Sequence, residues 1–146
     1  MTEEVHDSPV GWISKHIKRY VESDGERGHE WRPGVPTLLL TTTGRRTGIQ
    51  RRTALIYGRY GDDYVIVASV GGSPNHPAWY LNLSADPQVD VQVGAERFAA
   101  VARTAYGEER TRLWEAMQQI WPYYEGYQKK TAREIPVVVL IPQPAE

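Results

Sequence analysis

The stretch that decides the fold runs from Pro36 to Leu55 and reads PTLLLTTTGRRTGIQRRTAL. Its apolar first half predicts a strand over residues 37–43, and a second strand is predicted over about 51–59. Between them lies Gly44-Arg45-Arg46-Thr47-Gly48, and glycine reaches positive φ without steric cost. We therefore expect a hairpin with a tight, arginine-rich tip.

The charge at this tip is out of proportion to the rest of the chain. Four arginines fall within the nine residues 44–52, whereas the formal net charge of the whole chain is -1. A guanidinium is a planar fork that suits phosphate and carboxylate, and each charge-assisted hydrogen bond contributes about 1.5–3 kcal/mol. The pattern predicts a clamp for a multiply anionic ligand. A solvated basic edge that prevents strand-to-strand aggregation is the alternative, and charge alone leaves it open.

Composition excludes several classes of function. The 146 residues fit one domain (1–146), and the absence of cysteine excludes disulfides, thiolate catalysis and thiolate metal ligands. Residues 1–8 carry no secretory apolar region, so we expect a cytoplasmic protein. No apolar run approaches the roughly 18 residues of a membrane span. A net charge near zero argues against general binding of nucleic acid.

The N-terminal region predicts one amphipathic helix. Ser8 as N-cap and Pro9 at the first helical position start a helix of about 13 residues, which ends near Ser23. Its apolar face comprises Val10, Ile13, Ile17, Tyr20 and Val21, and its basic face Lys15, Lys18 and Arg19. A basic amphipathic helix can lie on a membrane surface, but most pack on a protein core, which we favour here. Residues 24–35 are predicted to form a loop.

The remaining patterns indicate a mixed α+β domain. We expect further strands at about 64–68, 89–93, 97–104 and 135–141, with helices at about 78–85 and 108–121. An aromatic cluster follows the last helix, at Tyr123, Tyr124 and Tyr127. The total is six strands and about three helices. Short connections between strands favour an antiparallel sheet closed as a small barrel with peripheral helices.

Candidates for acid, base or nucleophile are few. The loop 68–72 contains two glycines that let backbone amides approach a ligand, and Trp79 and Asn82 share one face of a predicted helix. The four histidines show no metal-ligand spacing, so no metal site is predicted, and no GxGxxG or P-loop pattern is present. A bound cofactor is then the expected source of the chemistry.

Several motifs together resemble a known family. TTTGRRTG, VASVGG, HPAWYLNLSADP and WPYYEGYQ occur in order with short gaps and are similar to the deazaflavin-dependent nitroreductase family. The similarity covers about residues 33–142 and leaves residues 1–32 as an N-terminal helix and loop. It implies an actinobacterial reductase that uses coenzyme F420 on a split β-barrel related to FMN-binding flavin reductases.

The resemblance also implies roles for individual residues. The phosphodiester and γ-linked glutamates of F420 would be held by Arg45, Arg46, Thr47 and Arg51, and the cofactor would be lined along the second strand by Arg52, Thr53, Ala54, Leu55 and Ile56. Backbone amides of Val67, Ala68, Ser69 and Val70 would face its ring, which Ala78, Trp79, Tyr80, Leu81 and Asn82 would flank. Tyr124 would close over the cofactor, and Ile56, Trp121, Tyr124 and Tyr127 would form the acceptor wall. Ser69, Tyr124 and Tyr127 are the candidates for hydrogen bonds to a developing oxyanion, with the proton taken from solvent.

The expected activity is hydride transfer from F420H2 to a flat, conjugated acceptor such as a quinone, enone or nitroaromatic, by a monomer or weak homodimer. A non-catalytic carrier of F420 or FMN is the alternative; FMN is the weaker candidate because its single phosphate needs fewer arginines. Two departures from the family pattern concern ligands: Val70 replaces a frequent lysine, and Ile56 and Trp121 replace tyrosines of a nitroimidazole-activating member.

Overall fold

The computed structural model describes residues 5–70 and 72–144, which contain nine strands and four helices. The first half of the chain comprises β1 (Val5–Asp7), α1 (Gly11–Glu22), β2 (Glu30–Arg32), β3 (Val35–Thr43), β4 (Gln50–Ile56), β5 (Gly58–Tyr60) and β6 (Asp63–Val67). The second half comprises α2 (Ala78–Ala85), β7 (Gln88–Val93), β8 (Glu96–Thr104), α3 (Gly107–Ile120), α4 (Tyr124–Lys129) and β9 (Val137–Pro142). Of these helices, none has the length and apolarity to cross a bilayer.

All strands belong to one strongly curved sheet. Its order is β1-β4-β3-β7-β8-β9-β6-β5, with β2 added to β3. The described ladders are antiparallel except the one between β1 and β4, which is parallel. Four strands lie between β4 and β6 in this order, yet the two approach each other in space without pairing. The sheet therefore bends back on itself around a core that includes Leu38, Ile66 and Val138.

The α+β class and the six predicted strands are confirmed, as β3, β4, β6, β7, β8 and β9. The total of six is wrong, because β1, β2 and β5 are three-residue strands too short to show a periodic pattern. The expectation of a purely antiparallel sheet is also wrong, since β1 runs parallel to β4. A fourth helix, α4, which the sequence patterns do not predict, spans only six residues and carries two members of the aromatic cluster, Tyr124 and Tyr127.

The first helix begins later than predicted. The Ser8 amide donates to the Arg52 carbonyl at 2.9 Å and continues the contact of β1 with β4, so the helix starts at Gly11 rather than at Pro9. Its apolar face lies on the sheet, where Ile17 and Tyr20 are both fully buried. The Tyr20 hydroxyl donates to the Thr37 carbonyl at 3.0 Å and accepts from the Gly94 amide at 2.7 Å. One side chain thus joins α1 to β3 and to the β7–β8 turn.

Replacing Tyr20 by Phe should lower the free energy of unfolding by about 1–3 kcal/mol, because it takes the hydroxyl partner from the half-buried Gly94 amide and from the buried Thr37 carbonyl. Urea denaturation followed by tryptophan fluorescence measures this. The matched control is Tyr106→Phe, at a tyrosine that is 72% exposed. Equal midpoints for both variants would show that the hydroxyl does not anchor α1.

Candidate functional site

The arginine-rich tip borders a basic groove of about 400 Å³. The groove lies between the hairpin tip, β1, β4 and the start of α2. Its lining comprises His6, Asp7, Ser8, Pro9, Gly44, Arg45, Arg46, Thr47, Arg51, Arg52, Thr53, Ala78, Trp79 and Asn82. The predicted clamp and the predicted helix face thus meet at one surface, as the resemblance implies.

Asn82 fixes the conformation of the hairpin tip. This side chain is 5% exposed, and its Oδ1 accepts from the Arg45 amide at 3.2 Å and from Arg45 Nη1 at 2.9 Å. Its Nδ2 donates to the Thr42 hydroxyl at 3.3 Å. Asn82 Oδ1 is thus bonded to Arg45 rather than left for a ligand. We therefore interpret Asn82 as a residue that holds the arginine-rich tip in position.

The other three arginines of the tip differ in whether an acidic side chain pairs with the guanidinium group. Arg52 forms a fork-like ion pair with Asp7, with Nε–Oδ1 at 2.6 Å and Nη2–Oδ2 at 3.2 Å. Arg46 and Arg51 are exposed and have no hydrogen-bond or ion-pair partner within the described residues. These two guanidinium groups therefore remain available to an anion. The pairing of Arg52 with Asp7 could not be predicted from the sequence, because it depends on the parallel contact of β1 with β4.

A second cavity, of about 270 Å³, adjoins the groove along β4. Thr53 borders the groove, and the next three residues, 54–56, border this cavity. The complete lining is Trp12, His16, Trp31, Thr37, Ala54, Leu55, Ile56, Val67, Ser69, Trp121, Tyr124 and Tyr127. We call it the aromatic cavity. It opens where β4 and β6 approach each other without pairing.

The hydroxyl groups of the aromatic cavity are neutral donors. Tyr124 is 5% exposed, and burial raises the pKa of its phenol well above the ordinary range, with a smaller contribution from Tyr127. Its hydroxyl makes no hydrogen bond to another described residue, and neither does that of Ser69. Tyr127 accepts from Trp121 Nε1 at 3.3 Å, so its own proton is free to point elsewhere. All three predicted catalytic hydroxyls are therefore brought to one cavity.

Sequence reasoning missed the contribution of the N-terminal region to this cavity. Trp12, His16 and Trp31 line it, although they precede the predicted family core. Trp12 stacks on Trp31 with ring centroids 6.1 Å apart, and the ring centroids of Trp31 and Trp121 are 5.1 Å apart. The sequence around a tryptophan in a helix or in a three-residue strand does not show which cavity the side chain will line, so only the fold could assign Trp12 and Trp31.

Not every predicted residue lines these two spaces. Ala68, Val70, Tyr80 and Leu81 line neither the groove nor the aromatic cavity. The Ala68 amide donates to the Pro136 carbonyl at 2.9 Å, so the expectation that it faces a ligand is wrong. The Tyr80 hydroxyl bonds Thr104 at 2.9 Å instead. The predicted glycine pair is described only in part, since residue 71 lies outside the described residues.

Arg133 holds the loop that carries Ser69. Its Nη1 donates to the Ala68 carbonyl at 3.2 Å and contacts His76 Nδ1 at 3.0 Å, and its Nε donates to the Ser73 carbonyl at 3.0 Å. Since an arginine only donates, His76 Nδ1 is the acceptor. Burial lowers the pKa of His76, with a further contribution from the Arg133 charge, so this acceptor is kept unprotonated.

Comparison with known proteins gives one consistent result. Residues 12–142 match the sequence model of a family described as F420H(2)-dependent quinone reductase. The chain is similar to F420H(2)-dependent quinone reductase Rv1261c of Mycobacterium tuberculosis, with 40% identity over 141 residues that cover 88% of this chain and 95% of the relative.

Two solved structures are also similar. One is entitled "Structure of F420-H2 Dependent Reductase (FDR-A)" and has 42% identity and a TM-score of 0.67, covering 72% of this chain and 93% of the other. The second is described as a domain-swapped dimer; it has 38% identity and a TM-score of 0.70, and covers 91% of this chain and 99% of the other.

Replacing Arg133 by Gln should speed amide exchange in residues 69–70 and 72–76, because each lost charge-assisted bond contributes about 1.5–3 kcal/mol to keeping the loop closed. Hydrogen–deuterium exchange resolved by peptide measures the effect. Arg110→Gln is the control, because Arg110 Nη2 donates to the Ile135 carbonyl at 2.7 Å on the same connection but does not touch this loop. Equal acceleration in both variants would contradict the assigned role of Arg133.

Proposed function

This chain belongs to the F420H(2)-dependent quinone reductase family, and from that premise we propose that it uses F420H2 to reduce quinone-type acceptors. The observation that carries the proposal is the continuity of two unlike spaces along β4. A groove with two guanidinium groups that have no partner within the described residues passes directly into a cavity lined by aromatic rings and hydroxyls. Such a pair of spaces suits a cofactor with a polyanionic tail and a flat ring.

The residues present fit coenzyme F420. Its phosphodiester and γ-linked glutamates carry several negative charges, which match the unpaired Arg46 and Arg51 in the groove. Arg45 and Thr47 border the same space and would contribute to holding the tail. The ring would lie against residues 54–56 in the aromatic cavity. FMN, with one phosphate, would leave part of this positive charge unused.

The family supports an enzyme over the alternative of a non-catalytic carrier, since the relative and the family description both name a reductase. Both also name quinones as acceptors, so a quinone-type acceptor is favoured over the enone and nitroaromatic classes. The label nitroreductase, which the motifs suggested, is therefore replaced by quinone reductase. Ile56 and Trp121 supply apolar surface to the cavity, which agrees with an apolar, flat acceptor.

Bound F420H2 supplies a hydride, and the protein supplies position and environment. The aromatic walls of the cavity would hold a flat acceptor in one plane; fixed proximity and orientation contribute about 7–11 kcal/mol to lowering a barrier. The aromatic side chains around the cavity reduce its contact with water, which strengthens hydrogen bonds within it. Three of them, Trp12, Trp31 and Trp121, form one continuous set of ring contacts.

Tyr124 is the best-placed donor for an oxyanion that develops on the acceptor. Its hydroxyl is free of protein partners and its raised pKa keeps it protonated throughout the neutral range. A preorganised neutral donor stabilises developing negative charge without paying for a buried charge in the ground state. Ser69 and Tyr127 line the same cavity and would act as further donors.

We further propose that residues 1–146 form one domain on a split β-barrel, the split being the unpaired approach of β4 and β6. The family match begins at residue 12, so α1 belongs to the functional unit rather than to a separate extension. A monomer or weak dimer in the cytoplasm is our proposal, and the similar solved structure described as a domain-swapped dimer supports the possibility of association.

Equilibrium titration should show that F420 binds more tightly than FMN, and F420H2 should be oxidised by menadione faster with the protein than without it.

Arg46→Ala with Arg51→Ala should weaken F420 binding by roughly tenfold or more at low salt, and less at high salt because the contacts are screened. The control is Lys18→Ala with Arg112→Ala, which removes two exposed cations outside the groove. Tighter binding of FMN, or no acceleration of menadione reduction, would refute the proposed function.

Replacing Tyr124 by Phe should lower kcat for menadione by about ten- to a hundredfold, since one oxyanion donor is lost. The affinity for F420 should change little. Stopped-flow oxidation of F420H2 measures the step, and Tyr123→Phe serves as the control because Tyr123 is 63% exposed and lies outside the cavity lining. An unchanged rate in Tyr124→Phe would assign the oxyanion contact to another group.

A further inference from the structure

The aromatic cavity contains one imidazole that none of the roles above uses. His16 of α1 lines the cavity together with Ser69, Tyr124 and Tyr127. Its Nε2 lies 3.1 Å from the Thr37 hydroxyl. Its other ring nitrogen, Nδ1, has no hydrogen-bond partner within the described residues. A ring that is fixed on one side and free on the other can exchange a proton with a ligand.

The surroundings of Thr37 determine which nitrogen of His16 carries the proton. The Thr37 hydroxyl lies 2.7 Å from the Gly28 carbonyl and 3.2 Å from the His29 carbonyl, and both of these groups only accept. Its single proton is therefore directed at a carbonyl, and its oxygen must accept from His16. The neutral ring then carries its proton on Nε2, which leaves a bare lone pair on Nδ1.

Reduction of a quinone requires a proton as well as a hydride. The hydride brings two electrons and one hydrogen nucleus, and one oxygen of the product must take up a proton to complete the hydroquinone. The overall exchange is F420H2 plus quinone giving F420 plus hydroquinone, in which the cofactor side also releases one proton to solvent. A phenolate oxygen has an ordinary pKa of about 10, so it takes a proton from an imidazolium readily.

We propose that His16 is a catalytic residue, a general acid that delivers the proton from Nδ1 to the oxygen of a quinone-type acceptor. This inference rests on the proposed function and replaces the expectation that solvent alone protonates the product. His16 takes a proton from water on Nδ1 while Nε2 stays bonded to Thr37. As the hydride arrives, the Nδ1–H group donates to the developing oxyanion and then transfers its proton, and the neutral ring is reprotonated by water.

The other groups around His16 fit this role. Its ring lies 6.2 Å from that of Tyr20 on α1, and Thr37 faces it from β3. Burial lowers its pKa, the Gly28 carbonyl opposes this shift and the nearby Arg19 charge adds to it. The protonated form is therefore populated on the acid side of 6.5, and proton delivery should weaken as pH rises through the lowered pKa. Tyr124 keeps its proton over this range, so the two residues contribute separately.

The first test uses the cofactor-free protein and needs no variant. NMR of the protein with nitrogen-labelled histidine should show His16 protonated on Nε2 and bare on Nδ1 near neutral pH, with the acid-range proton taken by Nδ1. Addition of menadione should shift the His16 signals and leave those of His29 in place. His29 does not line this cavity, and its Nε2 lies 2.6 Å from the Tyr57 hydroxyl. Protonation on Nδ1 at neutral pH, or no response to menadione, would overturn the proposal.

The second test compares pH profiles. With saturating F420H2, the menadione kcat/KM of the wild type should fall several-fold from about pH 5.5 to 7.5. His16→Gln, which can still donate to Thr37 but cannot hold a titrating proton, should flatten this profile and lower the rate by roughly tenfold or more at the acid end. His29→Gln should keep the wild-type profile.

The outcomes separate the two proposals. A wild-type profile in His16→Gln would overturn the role of His16 and leave the reductase assignment intact. A wild type that oxidises no F420H2 with menadione would refute the proposed function, and with it the general acid. If His16→Gln does not fold, the NMR measurements on the wild type decide.

Discussion

The site depends on an edge of β4 that the sheet leaves uncovered. β3 covers one edge of β4 along its whole length, whereas β1 covers the other edge only at Gln50–Arg52. Beyond that point β6 approaches without forming a ladder. Unpaired backbone groups inside a protein are costly, so such an edge persists where water or a ligand satisfies it. The aromatic cavity begins at this point, at residues 54–56.

Three side chains that hydrogen-bond across the fold keep the walls of this opening in place. Tyr20 fixes α1, Asn82 fixes the arginine tip, and Arg133 fixes the loop with Ser69. Each joins an element distant in sequence to a wall of the groove or of the cavity. Hydrogen bonds between polar groups inside a protein favour one arrangement of the chain over many, although Arg133 Nη2 is buried without a partner within the described residues. The rings and hydroxyls of the site therefore occupy fixed positions although they come from loops and short helices.

Local sequence patterns were sufficient for much of the fold. The hairpin of β3 and β4 and the helix α2 follow from apolar runs, glycines and prolines that act over a few residues. The strands β1, β2 and β5 were not predictable, because three residues define no period and pairing depends on the distant partner. The same limit applies to the site. The clamp at Arg46 and Arg51 lies in one motif, whereas Trp12, His16 and Trp31 reach the cavity only through the packing of α1 and β2.

The division of charge between the two spaces has a physical reason. Arginines cost little in the groove, since Arg46 and Arg51 stay exposed to water until an anion replaces it. In the cavity, which is less exposed to water, a permanent charge without a partner would be penalised. The groups there carry no permanent charge: they are hydroxyls, of which Tyr124 has a pKa raised by burial, and an imidazole whose pKa is lowered by burial. An apolar acceptor can then enter without displacing a permanent ion pair, and His16 is charged only between its protonation by water and the transfer of that proton. Affinity is thus supplied by fixed charges outside the cavity, and the chemistry by groups that are uncharged at rest.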